Sequence, residues 1–231
     1  MIGLGTIINT AAIIIGGVIG ILFKKVFSEK MQDTVMKANG VCVLFIGMAG
    51  ALKWMISGNH DLMMILSFVL GALVGELIDI EKRIEQFGAW LKVKSGSQND
   101  TGFLNAFLTA SFTVCIGAMA VVGSIEDGLT GDYTTLTAKA LLDFVIIMVM
   151  AASMGKGCIF SAIPVAIFQG TITILARFIQ PIMTEQATLN LSLTGSILIF
   201  CVGLNLVWGK KIKVANLLPT IVFAVAFAFI L

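Results

Sequence analysis

Hydrophobic positions in this chain gather into long runs separated by short polar stretches. A helix needs about 20 apolar residues to cross a hydrocarbon core about 30 Å thick. Eight runs approach that length, roughly Ile2–Phe23, Ala38–Ile56, Leu62–Leu77, Phe103–Ile125, Leu136–Met154, Gly157–Leu175, Leu189–Trp208 and Val214–Leu231. The pattern predicts an all-α, polytopic membrane protein of about eight transmembrane helices. The third and eighth runs are short, so a count of seven with one re-entrant run stays open.

One segment follows a different period. Over Ile78–Val93, IDIEKRIEQFGAWLKV, apolar Ile80, Ile84, Phe87 and Leu91 recur at helical spacing with charged residues between them. This predicts an amphipathic helix lying on the membrane interface, with Trp90 at headgroup depth. The following KSGSQNDTG reads as a flexible polar linker. The chain then divides into a three-span unit (1–77), the interfacial helix and linker (78–102), a central two-span unit (103–154) and a second three-span unit (155–231).

Composition removes the soluble alternative. The chain is 58% hydrophobic and 12% charged, with a mean hydropathy of +1.03, whereas a soluble domain carries about 25% charged residues. Charge placement then gives direction. With the N-terminus outside, 12 of the 15 lysines and arginines fall on the inner side and 3 (Lys53, Lys139 and Arg177) on the outer side. The expectation is a multi-pass protein of a prokaryotic cytoplasmic membrane with both termini outside. The N-terminus MIGLGTIINT lacks a basic n-region, so the first run reads as a retained span. Cys42, Cys115, Cys158 and Cys201 lie inside apolar runs without CxxC spacing and read as packing residues. No basic run of the nucleic-acid-binding kind occurs.

Two spans resemble each other. GTIINTAAIIIGGVIGIL from Gly5 aligns with GCIFSAIPVAIFQGTITIL from Gly157, which places Asn9 opposite Ser161. The stretches beginning at Gly40 and Gly195 correspond loosely. Any two apolar helices share some residues. The other reading is an inverted-topology repeat of spans 1–3 and 6–8, a common construction in secondary transporters, whose sites lie where interrupted helices meet near the midplane. Gly16 and Gly17, with Gly20, and Pro164 are then the helix-break candidates. Alternatively these glycines serve close helix packing.

The opening GTIINTAAIIIGGVIG, the stretch GALVGELIDIEKRIEQFG, and CIGAMAVVGSIEDGLTGDYTTLTAKALLDF followed by MGKGCIFSAIPVAIFQGTIT together cover nearly the whole chain. They resemble the YqgA/YdfK-like membrane proteins, a family of unknown function to which a transport role is attached. The resemblance implies a multi-helix membrane fold and a transport function. Ala118 stands where CxGP-type relatives carry proline, which leaves open whether span 4 is kinked.

Polar residues inside the spans are the candidate chemistry, since a charge at the bilayer centre costs about 2.5–3.5 kcal/mol on the insertion scale. Lys139 and Asp143 stand at i and i+4 on span 5, either as a neutralising ion pair or as a substrate or ion site. Asn9, Ser161, Gln169 and Asn205 are further substrate- or ion-binding candidates, with interhelical hydrogen bonding as the alternative. Glu76 reads as interfacial. Glu126, Asp127 and Asp132 lie in GSIEDGLTGD, which forms either an acidic outer vestibule or a solvated loop. His60 is too isolated to build a metal site, and no metal or cofactor is expected. GxSxG, HExxH and Walker motifs are absent, so no enzyme is expected.

The leading function is a secondary, ion-coupled transporter of a small polar solute or ion. An oligomeric channel-like pore and a non-transporting scaffold or sensor are the alternatives. The expected partners are the lipid bilayer, the solute and a second copy, the homodimer resting on the glycine-rich faces of spans 1 and 3, where Gly71 and Gly75 sit.

Overall fold

The computed structural model describes residues 2–24, 28–56, 61–115 and 118–230; His60 lies outside them. Helices follow one another with no strand among these residues. They are α1 (Leu4–Lys24), α2 (Glu29–Met55), α3 (Asp61–Ile78), α4 (Ile80–Lys94), α5 (Phe103–Cys115), α6 (Ala118–Thr130), α7 (Thr134–Met154), α8 (Ala162–Ile174), α9 (Ala176–Ile179), α10 (Glu185–Trp208) and α11 (Pro219–Phe227). Short 3₁₀ segments, Lys156–Ser161 and Val214–Leu217, lead into α8 and α11.

Among the described residues, five helical segments are long and apolar enough to cross a membrane: α1, α3, α7, the 3₁₀–α8 segment and α10. The pair α5–α6 adds a sixth if it is taken as one span, but its halves differ in direction by 61°. The two other expected runs form shorter apolar helices, Gly40–Met55 and Val214–Phe227. The second falls short because helix α2 spends its first turns, from Glu29, on polar residues capped by Ser28. The eighth falls short because its helix ends at Phe227, with turns at 228–230.

Helices pair through glycines. A Cβ on Gly16 or Gly20 would run into the backbone carbonyls of Phe144 or Met148, so α1 and α7 lie side by side and parallel. Gly40 faces Leu206 and Val207, Gly47 faces Phe200, and Gly203 faces Leu44, which sets α2 antiparallel to α10. Gly71 abuts Thr220 and Gly75 abuts Asn216, setting α3 antiparallel to α11. Gly157 meets Phe103, and Gly128 meets Thr173, aligning α5 and α6 with the sixth run. In lipid the hydrophobic effect does not drive helices together, so such backbone contact supplies the association.

These contacts correct two expectations. Helix α1 runs unbroken through Gly16 and Gly17, which are not helix breaks; they admit α7 and Ile159 of the 3₁₀ segment. The glycine face of α3 is occupied within the chain by α11, so it gives no warrant for a dimer contact.

Two further segments differ from the sequence reading. GSIEDGLTGD is mostly helix, the last turns of α6, ending at Gly131 with φ +73°. The stretch after α4 is a hydrogen-bonded turn: Ser97 N donates to Lys92 O (2.9 Å), Gly102 N donates to Asp100 Oδ1 (3.0 Å), and Ser97 is buried. Helix α4 itself packs on α5 through Gly88 and Leu91, with Trp90 exposed.

At the end of the bundle where α3 meets α4, charged groups clasp the two halves of the chain together. Lys213 pairs with Glu76 (2.6 Å), and Lys210 pairs with Glu81 (2.5 Å) and Glu85 (2.6 Å). Asn216 accepts from Glu81 N (2.8 Å) and donates to Glu76 (2.6 Å). Partial burial disfavours the Lys210 charge, but hydrogen bonds to Glu81 and Glu85 outweigh it and raise its pKa. The clasp contribution of a raised lysine is complete below its unfolded pKa and fades as pH climbs through the folded value. It therefore holds throughout the neutral range.

Gly20→Ala is expected to lower the thermal unfolding midpoint in detergent, with a cost of about 1–3 kcal/mol from overpacking against Met148. Gly170→Ala, whose Cβ would meet nothing within 4 Å, should leave the midpoint unchanged or raise it, because alanine favours helix by up to about 1 kcal/mol. Equal destabilisation by both would show that backbone proximity does not set these positions.

Candidate functional site

The candidate chemistry lies between α5 and α7. Helix α5 is described to Cys115, and α6, described from Ala118, runs at 61° to it. Lys139 reaches α5 from α7: its ammonium donates to Val114 O at 2.8 Å and to Asp143 Oδ2 at 2.5 Å. Both side chains are buried, with Lys139 7% and Asp143 3% exposed. The helical spacing of Thr137–Phe144 places them one turn apart on one face. The two helices differ in direction although Ala118 stands where CxGP-type relatives carry proline.

A cavity of about 240 Å³ opens beside the pair, lined also by Thr113 of α5 and by Ser192 and Ser196 of α10. Thr113, Ser192 and Ser196 each donate to the carbonyl four residues earlier (2.6–2.8 Å), which leaves their oxygen lone pairs free to accept. From α1, Asn9 approaches Asp143. Its amide nitrogen and oxygen are buried and complete no hydrogen bond. A buried amide without partners is costly and is usually satisfied by water or a ligand. The arrangement can therefore accept and donate hydrogen bonds to a small polar guest while presenting both signs of charge.

The other expected residues scatter. Gln169 on α8 is fully buried with both amide atoms unpartnered. Ser161 closes the 3₁₀ turn by donating to Cys158 O (2.7 Å). Pro164 occupies the first turn of α8, where its missing N–H costs nothing, and the irregular backbone lies just before it. Asn205 is away from the pair: it braces the turn after α10, donating to Ile212 O (2.8 Å) and accepting from the N–H groups of Lys211 and Ile212.

The three carboxylates of GSIEDGLTGD have separate duties. Asp127 is fully buried and accepts from Gly3 N (3.1 Å) and Gly5 N (3.0 Å), capping α1. It departs from the expected solvated loop because helix α6 aims it at the positive end of α1. Glu126 accepts from Thr135 Oγ1 (2.7 Å). Asp132 accepts from Thr134 N (2.9 Å), and hydrogen bonds from the Thr134 hydroxyl and backbone hold its carboxyl below the usual carboxylate range. Among the described residues, no three His, Cys, Asp or Glu side chains converge to hold a metal.

The sequence reading missed the Val114 carbonyl and the hydroxyls that line the cavity. The Ser192–Ser196 spacing of four was a legible signal; the Val114 carbonyl, which Lys139 reaches from another helix, was not.

The family model described as "Protein of unknown function (DUF554)" matches residues 4–229. The chain belongs to this family. It is 30% identical over 227 residues to the uncharacterized membrane protein YdfK of Bacillus subtilis, covering 98% of the chain and 96% of that relative. It is 28% identical over 225 residues to the uncharacterized protein YqgA of Escherichia coli, covering 96% of the chain and 94% of that relative. No solved structure matches. The family is thus one of uncharacterized membrane proteins, and this chain, with its several apolar helices, is a membrane protein of that kind.

Truncating one partner of a buried pair strands the other charge, at a cost of about 3–5 kcal/mol. Asp143→Leu alone is therefore expected to destabilise more than Lys139→Leu combined with Asp143→Leu, as read by thermal unfolding in detergent. The double variant gives up the Val114 hydrogen bond but removes both buried charges. If the double variant unfolds lower than Asp143→Leu, the pair is a structural strut whose loss the bundle cannot absorb.

Proposed function

We propose that this protein is a secondary transporter of a small polar solute or ion, with its site at Lys139 and Asp143. The observation that carries the reading is a buried ion pair facing a cavity lined with hydroxyls, with the unpartnered Asn9 amide beside its carboxylate. Intramembrane ionisable groups on a packed helix face are functional candidates by default. Irregular backbone at membrane depth is tolerated where it lines a cavity.

Helix pairing supports the finer architecture of this reading, eight crossings built as an inverted repeat. Exchanging span 1 with 6, 2 with 7, 3 with 8 and 4 with 5 leaves the set of main pairings unchanged: α2 with α10 and α3 with α11 map onto themselves. The pairing of α1 with α7 maps onto that of α5 and α6 with the 3₁₀–α8 segment, and both pairs are parallel. Parallel pairs join spans of equal parity and antiparallel pairs spans of opposite parity, as eight alternating crossings require. In this reading α4 lies at the cytoplasmic interface, the termini are outside in a prokaryotic cytoplasmic membrane, and the protein is not an enzyme. A homodimer would use faces other than the glycines of α3.

Two measurements test this. In a variant without native cysteines, Gln98→Cys should be protected from an impermeant thiol reagent applied outside cells, and Thr130→Cys should react. The reverse labelling overturns the topology. For the site, purified protein is screened against small metabolites and ions by thermal shift, where ligand at 100 times its Kd adds about 2.7 kcal/mol. A hit should stabilise the native protein, fail on the folded Lys139→Leu, Asp143→Leu variant, and drive saturable counterflow in proteoliposomes. A hit that stabilises both proteins equally would sink the site, and flux without saturation would indicate a pore.

A further inference from the structure

A second cavity, about 510 Å³, lies among α4, α5, α8 and α11, separate from the ion pair. Its volume is within the range of about 300–1,000 Å³ that buries small-molecule ligands. The walls are apolar, with Phe107, Phe112, Phe168, Leu218 and Ile221 prominent, and the charged group at its rim is Arg83 of α4. The cavity runs from Arg83, at the end of the bundle where Lys210 meets Glu81, to Leu191 in the first third of α10. At 1.5 Å per residue along α10 that is more than about 20 Å, against about 15 Å for half of a 30 Å hydrocarbon core.

Arg83 is exposed, and among the described residues no carboxylate lies within 4.0 Å of its guanidinium. The neighbouring carboxylates on α4, Glu81 and Glu85, are taken by Lys210. Apart from the Ser111 hydroxyl, a polar solute in this slot would face aromatic and aliphatic walls and leave most of its own groups unpaired. A neutral apolar guest would leave the rim charge unanswered. The matching chemistry is an amphiphile with an apolar chain and an anionic head.

We infer that the slot holds one acyl chain of an anionic phospholipid from the adjacent leaflet, with Arg83 on its phosphate. A guanidinium presents a planar fork of donors that suits a phosphate's oxygens. A lipid seated there touches α4, α5, α8 and α11 together, and so fastens the surface helix to the bundle. The inference does not depend on the transport reading, because it concerns a different cavity and different residues.

Native mass spectrometry of delipidated protein in detergent, titrated with phosphatidylglycerol or phosphatidylcholine, tests it. Phosphatidylglycerol should stay bound at activation energies that strip phosphatidylcholine. Arg83→Gln, at an exposed position, should weaken phosphatidylglycerol binding by about tenfold or more, the effect of losing one charge-assisted contact, and leave phosphatidylcholine unchanged. Ser111→Leu, which puts a larger side chain on the slot wall, should reduce retention of phosphatidylglycerol. Equal retention of the two lipids by the native protein overturns the proposal. So does phosphatidylglycerol binding that is unchanged in Arg83→Gln or unchanged in Ser111→Leu.

Discussion

The ammonium of Lys139 ties together two helices whose polar groups would otherwise be costly in an apolar interior. It compensates the buried Asp143 carboxylate of α7, and it donates to the Val114 carbonyl of α5. Remove the lysine and both acceptors lose a donor. A buried charge is retained only when paired and hydrogen-bonded, so the two charges of α7 and the Val114 carbonyl of α5 form a single device. This explains why so apolar a run as Leu136–Met154 carries two charges.

That device sits in a frame held by close backbone contact. The glycines of α1 bring it against α7, and so fix the depth at which Asn9 reaches Asp143. The glycines of α2 and of α10 bring those two helices together, and α10 is the helix that carries Ser192 and Ser196 into the cavity. Outside this frame, large apolar side chains such as Phe45, Leu73, Leu141 and Ile174 face outward. A bilayer makes that arrangement favourable, whereas water would not. The polar clasp of Glu76, Glu81, Lys210, Lys213 and Asn216 then ties α3 and α4 to the turn after α10 at one end.

The membrane class and the ion pair were legible because each rests on a local signal, run length in the first case and i, i+4 spacing in the second. The role of Gly16 and Gly17 was not, because a glycine pair reads alike whether it breaks a helix or admits a neighbour. Only the partner decides, and the partner, α7, is more than a hundred residues away. Asp127 was misread for a related reason. A run of glycines and carboxylates looks like a loop, yet the open N–H groups of α1 give the carboxylate a buried use. Asn205 was singled out as a polar residue at membrane depth, but its turn lies close enough in sequence to satisfy all its hydrogen-bonding groups.

Under the proposed transport reading, the ion pair also limits what the site can carry. Lys139 and Asp143 together have no net charge, so the buried site is neutral as long as both are ionised. A lone cation drawn to Asp143 would leave the Lys139 ammonium with the Val114 carbonyl as its main support. A lone anion drawn to Lys139 would leave the Asp143 carboxylate beside an amide that completes no hydrogen bond to it. Neither arrangement is stable in a medium of low dielectric. Two solutions restore the balance. A zwitterionic solute can present one charge to each partner. An anion can enter with a proton that neutralises Asp143. Both couple solute entry to a rearrangement of the group that also donates to the Val114 carbonyl, so a guest that opens the pair also disturbs the contact between α7 and α5. Binding and the packing of these two helices are therefore linked through one lysine.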